Sequence, residues 1–283
     1  MAVDETASAL THAGVDHAVD ALAGRSIAVL TGAGVSTDSG IPDYRSEGTP
    51  RRTPMTLQTF LASDDARRRY WLGSHLGWRH FTGVAPNRGH HALAELEGRG
   101  IVAGIVTQNV DGLHLAAGSR RVVELHGDLR RVICLDCGAE FAREEVAAWI
   151  ESDNPFITVP EEIELGPDGD VLPSSWERMT VPECTACGGI LKPDVVFFGE
   201  YVASPMKLAA ERLVDQADAL LVAGTSLAVN SGLRLVERAR RRAVPLVIVN
   251  RGATKGDRSA TVRLDAGTSE TLAALASTLT RLR

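Results

Sequence analysis

The 283-residue sequence has little that would carry it to a membrane or onto a polyanion. No stretch approaches the roughly 20 consecutive apolar residues that a membrane helix needs, so no membrane partner is expected. The first residues, Met-Ala-Val-Asp-Glu, lack the basic start and apolar run of a secretory signal. Their acidity also argues against a transit peptide, so a cytoplasmic protein is expected. A basic excess is missing too. The formal net charge is −6 and the sequence pI is about 5.8, which argues against direct nucleic-acid binding. Local arginine groups at 67–69 and 240–242 read as solvated helix faces. Cysteine is scarce, with four residues, and in a reducing compartment these suit metal binding better than disulfides. Internal repeats are absent. What is abundant is core material. At 44% hydrophobic and 23% charged residues, the chain suits one large domain or a large one with a small companion.

Residues 1–24 read as a helical entry segment. Four short apolar runs follow, each stopping at small or polar residues. The run 26–30 ends at Thr31-Gly32-Ala33-Gly34, and 101–106 ends at Thr107-Gln108-Asn109. The run 219–223 ends at Gly224-Thr225-Ser226, and 246–249 ends at Asn250-Arg251-Gly252. Runs this short and apolar suit parallel strands buried on both faces. Helical patterns lie between several of them, at 90–97, 205–216, 231–242 and 269–282. The alternation predicts an α/β fold with a Rossmann-like parallel sheet. Ligands of such sheets bind outside the carboxyl ends of the strands. Four polar strand ends therefore indicate a ligand crevice, although ordinary turns use the same residues.

Two segments break the alternation. Residues 44–82 are rich in Arg, aromatic residues and Gly, with helical stretches and no clear strand. Residues 129–194 hold all four cysteines and a polar middle around Glu161, Glu162, Pro167, Asp168, Gly169 and Asp170. The 150s to 170s are the expected mobile stretch. The expected division is a Rossmann-like domain of 25–43, 83–128 and 195–283. A helical insertion at 44–82 and a zinc-binding module at 129–194 would form the small domain.

Cys134-Leu135-Asp136-Cys137-Gly138 and Cys184-Thr185-Ala186-Cys187-Gly188 are matched knuckles. A Cys-x-x-Cys turn points both sulfurs inward, and two such turns complete a tetrahedron around Zn²⁺. The plainer alternative is two unconnected thiol pairs. Four thiolates leave no open position, so one structural zinc ion is expected.

The first strand leads into Gly32-Ala33-Gly34-Val35-Ser36-Thr37-Asp38-Ser39-Gly40. Glycines let a backbone approach a pyrophosphate, but position 37 breaks the strict Gly-x-Gly-x-x-Gly. Asp43 is only 11 residues beyond Gly32, against about 20 in that motif, and it falls in the loop Ile41-Pro42-Asp43-Tyr44-Arg45. A plain hydride-transfer dehydrogenase fits poorly.

With the residues through Arg45-Ser46, this loop resembles the signature of the sirtuin family. The resemblance continues in Thr107-Gln108-Asn109-Val110-Asp111-Gly112-Leu113-His114 and Glu124-Leu125-His126-Gly127. It includes both cysteine pairs and Lys192-Pro193-Asp194-Val195-Val196-Phe197-Phe198-Gly199-Glu200. It ends with Gly224-Thr225-Ser226-Leu227 and Val249-Asn250, spanning roughly 25–270 in the family's order. Tyr44, the segment 167–170 and Val229-Asn230-Ser231-Gly232 resemble the class II branch.

The resemblance implies an NAD-dependent protein-lysine deacylase, with NAD as co-substrate lying across the strand ends between the two domains. It implies that the backbone of Gly32, Ala33 and Gly34, with Ser36, holds the phosphates. Gly224, Thr225 and Ser226 would line the phosphate and adenosine side, and Asn250 would bind the adenine ribose. Arg251, Gly252 and Thr268 are further implied cofactor contacts. Ala33, Ile41, Asn109 and Asp111 would form the nicotinamide pocket, with Gln108 facing the adjoining ribose. Asp43, Tyr44 and Arg45 lie on the loop that folds over NAD. His126, taken alone, reads as a structural histidine. The family motif makes it the general base, with Asn109 and Asp111 as the other catalytic residues. In the family's chemistry the acyl carbonyl oxygen attacks the ribose, nicotinamide leaves, and a ribose hydroxyl must then lose its proton. An imidazole with a pKa near 6.5 can take that proton at neutral pH.

Acyl-lysine proteins or peptides are the implied partners. The substrate would add as an extended strand between Phe198-Gly199-Glu200 and the segment 227–229, where Leu227 and Val229 stand. Phe198 is expected to line the acyl tunnel with Val196, although Val196, Phe197 and Phe198 could equally be core. Mono-ADP-ribosyl transfer from the same NAD site, or a non-catalytic NAD-binding module, are the competing readings. Sirtuins specialised for malonyl- and succinyl-lysine carry a Tyr-x-x-Arg pair. Here Tyr70 is followed three residues later by Gly73, and Arg67, Arg68 and Arg69 precede it. An uncharged acyl group is therefore expected.

Overall fold

The computed structural model describes residues 5–44, 54–160 and 164–282, with side chains from Ala13 onward. The chain opens with α1 (Glu5–Leu22), β1 (Ile27–Thr31), α2 (Leu57–Ala62), α3 (Asp64–Phe81), α4 (Arg88–Gly98) and β2 (Val102–Thr107). It continues with α5 (Leu113–Ala116), β3 (Val122–Glu124), β4 (Gly127–Cys134), β5 (Glu140–Ala142), α6 (Arg143–Asp153) and β6 (Leu191–Val195). It closes with α7 (Ser204–Gln216), β7 (Ala219–Ala223), α8 (Asn230–Arg241), β8 (Leu246–Val249), β9 (Val262–Leu264) and α9 (Thr268–Arg281).

Six strands form one parallel sheet in the order β3-β2-β1-β7-β8-β9. The four long apolar runs are its centre because they are buried on both sides. Alternation along β1 shows why. Ile27 and Val29 pack toward α1, α4 and α9, whereas Ala28 and Leu30 pack toward α7 and α8. The two edge strands were not anticipated. Val122–Glu124 and Val262–Leu264 are three residues each and half-buried, too short for a periodic signal. The strand order reverses at β1, whose neighbours are β2 and β7. A crevice therefore opens above the carboxyl ends of β1 and β7.

The loops leaving these two strands touch backbone to backbone. The Gly34 N–H donates to the Gly224 carbonyl at 2.9 Å. Gly224 has φ +64, and a Cβ there would lie 2.4 Å from the Val35 nitrogen. Only glycine permits that approach.

A second, antiparallel sheet of order β5-β4-β6 carries the cysteines. Its core joins Phe60, Trp71 and Leu72 from the helical insertion to Val132, Val146 and Leu191, so the two interruptions share one apolar core. The stretch expected to be mobile has no helix or strand at 154–160 or 164–182, but it is anchored. The Val171 N–H donates to the Gly73 carbonyl at 3.1 Å. A Cβ on Gly73 would sit 2.2 Å from the Val171 oxygen, and one on Gly77 1.9 Å from the Gly169 oxygen. Two glycines on one face of α3 thus let the segment 166–171 lie directly on the helix. No helix among the described residues is long and apolar enough to cross a membrane.

The helix entering β2 is capped from within. Asn87 accepts from Gly89 and His90 N–H groups, and His90 Nδ1 accepts from Asn87 N–H at 3.3 Å. Burial pushes the His90 imidazole down to about 4, and His75 likewise, with burial the main cause in both. Unfolded histidines titrate near 6.5, so between those values the unfolded chain binds more protons. Stability is then present above about pH 6.5 and lost as pH falls toward 4. The expected loss at pH 5 is on the order of 1–2 kcal/mol per histidine. Thermal midpoints between pH 7.5 and 5 should fall steeply, and less so in His90→Gln; equal slopes would remove His90 from this account.

Candidate active site

The crevice is a cleft of about 1590 Å³ between the parallel sheet and the cysteine-bearing lobe. It is lined by the ends of all four long strands and by 195–202, 167–170 and 228–231. Of the residues singled out in the sequence for NAD or substrate, two stand apart. Arg45 lies outside the described residues. Leu227 is 0% exposed, packs its side chain with those of α8, and is not among the residues that line the cleft. Gly32, Ala33, Gly34, Ser36, Ile41, Asp43, Tyr44, Gln108, Asn109, Asp111 and His126 all line the cleft. So do Val196, Phe198, Gly199, Glu200, Gly224, Thr225, Ser226, Val229, Asn250, Arg251, Gly252 and Thr268.

His126 is placed by β3 and β4. The Leu125 N–H donates to the Thr107 carbonyl at 2.8 Å, and Gly127 turns the chain with φ +85. The imidazole makes two hydrogen bonds. Nδ1 meets the Gln108 carbonyl at 3.0 Å and Nε2 meets the Ser231 hydroxyl at 2.9 Å. A carbonyl only accepts, so Nδ1 carries the proton and Nε2 holds its lone pair toward the Ser231 hydroxyl. Burial moves this pKa below the usual histidine value, and the Gln108 contact opposes part of that shift. The ring is therefore a neutral base at pH 7.

Beside it lies a chain of polar contacts. Asn109 Nδ2 donates to Ser36 Oγ at 3.0 Å, and the Ser36 hydroxyl donates to Asp111 Oδ2 at 2.6 Å. Asp111 also accepts from the Leu113 N–H at 2.9 Å. Burial raises the Asp111 carboxyl, and these donors pull it back. On the far side Thr268 donates to the Gly34 carbonyl at 2.9 Å, tying α9 to the glycine loop. Asn250 Nδ2 donates to the carbonyls of Arg251 and Gly252, which shapes the turn after β8.

The wall carrying Phe198 and Glu200 is held by a buried cation. Lys192 Nζ donates to the Val195 carbonyl and pairs with Glu200 at 3.2 Å, while Glu200 accepts from the Phe197 N–H at 2.9 Å. Phe197 is core, in contact with Phe60 and Tyr70. Phe198 is 43% exposed and meets Tyr44 edge to face.

Several cleft residues escaped sequence reasoning. Ser231, Asp168 and Asp170 entered the sequence reading only within segments that resemble the class II branch, not as site residues, yet all three line the cleft. The Tyr44 hydroxyl bonds Asp168. Burial pushes the Asp168 carboxyl up to about 6.

The four cysteines converge in the small lobe, away from the cleft lining. Their sulfurs all lie within 4.8 Å of one another, with Cys134 and Cys187 3.6 Å apart and Cys137 and Cys184 3.7 Å apart. A tetrahedron of thiolates at the usual Zn–S length has edges of about 3.8 Å, so the set fits one structural zinc ion. Gly138 and Gly188 close the two knuckles, donating to the Cys134 and Cys184 carbonyls at 3.0 and 2.7 Å.

The Sir2 family model matches residues 32–231. The chain is 51% identical over 268 residues to NAD-dependent protein deacetylase 1 of Mycobacterium avium (strain 104), covering 93% of this chain and 95% of that one. It is 42% identical over 271 residues to an NAD-dependent protein deacylase of Batrachochytrium dendrobatidis, covering 89% of each. A solved complex of Sir2 with a p53 peptide and NAD+ superposes with a TM-score of 0.71 at 28% identity, covering 91% of this chain and 95% of that one. The chain belongs to the Sir2 family.

Metal analysis of the purified protein should give one zinc per chain. Cys184→Ser should lose it and destabilise the small lobe by several kcal/mol, because metal binding is coupled to folding. A protein with well under one zinc and an unaltered melting profile would sink the assignment.

Proposed function

We propose that this chain removes acyl groups from lysine side chains of proteins with NAD as co-substrate, and that His126 is its general base. The observation that carries this reading is the oriented imidazole of His126 in the cleft wall, its Nδ1 held by the Gln108 carbonyl and its Nε2 facing the Ser231 hydroxyl. The names of the relatives support it. NAD, when bound, supplies a leaving nicotinamide and a ribose whose hydroxyl accepts the acyl group. The chain's own residues do the rest. The Gly34–Gly224 backbone contact presents a glycine surface for the phosphates. Asn109 and Asp111, crosslinked through Ser36, would shape the nicotinamide pocket, and Gln108 would face the ribose. Val196, Phe198, Gly199 and Glu200 on one wall and Val229 on the other would take the substrate as an added strand, so main chain rather than sequence is read.

Tyr44, Asp168 and Ser231 all line the cleft, which supports placing the chain in the class II branch. Four free thiols suited to zinc need a reducing compartment, which supports a cytoplasmic location. The decisive experiment is mass spectrometry of acyl-lysine peptides incubated with enzyme and NAD. Loss of the acyl mass is expected; gain of ADP-ribose without acyl loss would overturn the reading.

His126→Ala should lower deacylation about 10²–10⁴-fold while the protein stays folded and binds NAD. Retention of more than about a tenth of wild-type turnover would mean that another group takes the proton.

The acyl end of the cleft favours uncharged groups. Arg67 donates to the Phe60 and Leu61 carbonyls and pairs with Asp64, and Arg69 lies over Trp176. Arg143 is fully buried between Trp71 and Trp78. None of these arginines lines the cleft, whereas Asp168 and Asp170 do. The cations that do line the cleft, Lys207, Arg234 and Arg251, come from α7, α8 and the turn after β8, so a carboxylate brought beside Asp168 and Asp170 would lose hydration next to like charge. Succinyl-lysine should show at least about tenfold lower kcat/KM than the best neutral acyl-lysine on the same peptide. Equal turnover would reveal a cation facing the acyl chain.

A further inference from the structure

The proton on His126 Nδ1 is committed to the Gln108 carbonyl, so Nε2 can only accept. Its partner is the Ser231 hydroxyl at 2.9 Å, and both residues line the cleft. Ser231 is not free to drift. It stands in the first turn of α8, and the next residue, Gly232, is pressed against the Gln108 side chain. A Cβ at 232 would lie 2.9 Å from Gln108 Nε2. Gln108 is itself fixed, since its Oε1 accepts from the Thr225 hydroxyl at 2.8 Å and its N–H donates to the Thr31 carbonyl at 2.9 Å. One residue thus holds the imidazole at Nδ1 and the helix that bears its second partner. The start of α8 adds the positive end of a helix dipole beside the ring, which favours the neutral imidazole.

We propose that Ser231 is the positioning residue of the base, a role that rests on the assignment of His126 above. In the resting protein its hydroxyl donates to Nε2 and fixes the ring plane, which a single bond at Nδ1 leaves free to swing. For Nε2 to take the proton of a substrate hydroxyl, Ser231 must first withdraw its donation, keeping its own proton; the freed lone pair then accepts the substrate proton, and the rotated Ser231 oxygen accepts from the new N–H. The same oxygen serves both protonation states because a hydroxyl is donor and acceptor at once.

The test begins without NAD. In protein labelled with 15N-histidine, His126 should appear protonated at Nδ1, with Nε2 as a hydrogen-bonded acceptor. Ser231→Ala should move the Nε2 resonance downfield to that of a free acceptor nitrogen, and Ser231→Thr should return it. With NAD and an acyl peptide, Ser231→Ala should lower kcat of deacylation roughly tenfold, the effect of losing one hydrogen bond. Exchange of labelled nicotinamide into NAD and KM for NAD should stay within about twofold, since these precede the base step. Ser231→Thr should recover most of the turnover. An unmoved Nε2 resonance in Ser231→Ala, or exchange falling in step with deacylation, overturns the proposal. A wild-type enzyme that leaves acyl-lysine intact overturns instead the functional reading on which it rests, whatever the nitrogen resonances show.

Discussion

Gln108 is the residue on which the cleft depends. It stands one position beyond β2 and touches four separate parts of the chain. Its N–H closes onto β1 at Thr31, its side-chain oxygen takes the Thr225 hydroxyl beyond β7, and its carbonyl takes the His126 ring. The start of α8 packs on its amide through Gly232. Each contact is an ordinary hydrogen bond or van der Waals contact, individually worth about 1 kcal/mol. Together they convert the position of one strand end into the orientation of an imidazole. The sheet is rigid because β1, β2 and β7 are buried on both faces, and Gln108 transmits that rigidity to the site.

The cysteine site acts on the same imidazole from the other side. Strand β4 begins beside His126, at Gly127, and ends at Cys134, one of the four clustered thiols. Its partner β6 carries Val195 opposite Gly127 and Leu191 opposite Cys134. The Val196 N–H then donates to the His126 carbonyl at 2.8 Å. A metal held by four sulfurs has no place for a reactant. Its effect would be mechanical: it would clamp the far ends of the two strands whose near ends lead to His126 and to the proposed substrate wall.

Between the lobes, recognition divides by chemistry. The sheet side presents glycine backbone and small polar groups, suited to phosphates and hydroxyls. The small-lobe side presents Tyr44, Tyr70 and Phe198 with the two carboxyls of Asp168 and Asp170. The second set reaches the cleft because Gly73 and Gly77 let the segment 166–171 lie on α3. A side chain at either glycine would lift that segment away and reshape this side of the cleft.

How much of this is legible in the amino-acid order follows from the range of the forces involved. Burial on both faces leaves an unbroken apolar run, so β1, β2, β7 and β8 were plain from sequence. Amphipathic periodicity likewise marked α4, α7, α8 and α9. The zinc set was equally visible, because its geometry is local to each Cys-x-x-Cys turn and only the meeting of the two turns is tertiary. The short edge strands β3 and β9 were not, since three half-buried residues carry no period. Leu227 was placed beside the substrate by the family resemblance; its φ is 56 and its side chain is buried in the core. The partner of the His126 ring was beyond sequence altogether. His126 and Ser231 are 105 residues apart, and what joins them is the crossing of α8 over Gln108. Local chemistry and burial pattern therefore determined the elements, the metal knuckles and the family motifs. Which hydroxyl faces the imidazole, and which carboxyls line the cleft, was decided only by tertiary packing, because such contacts depend on distances that residue order does not record.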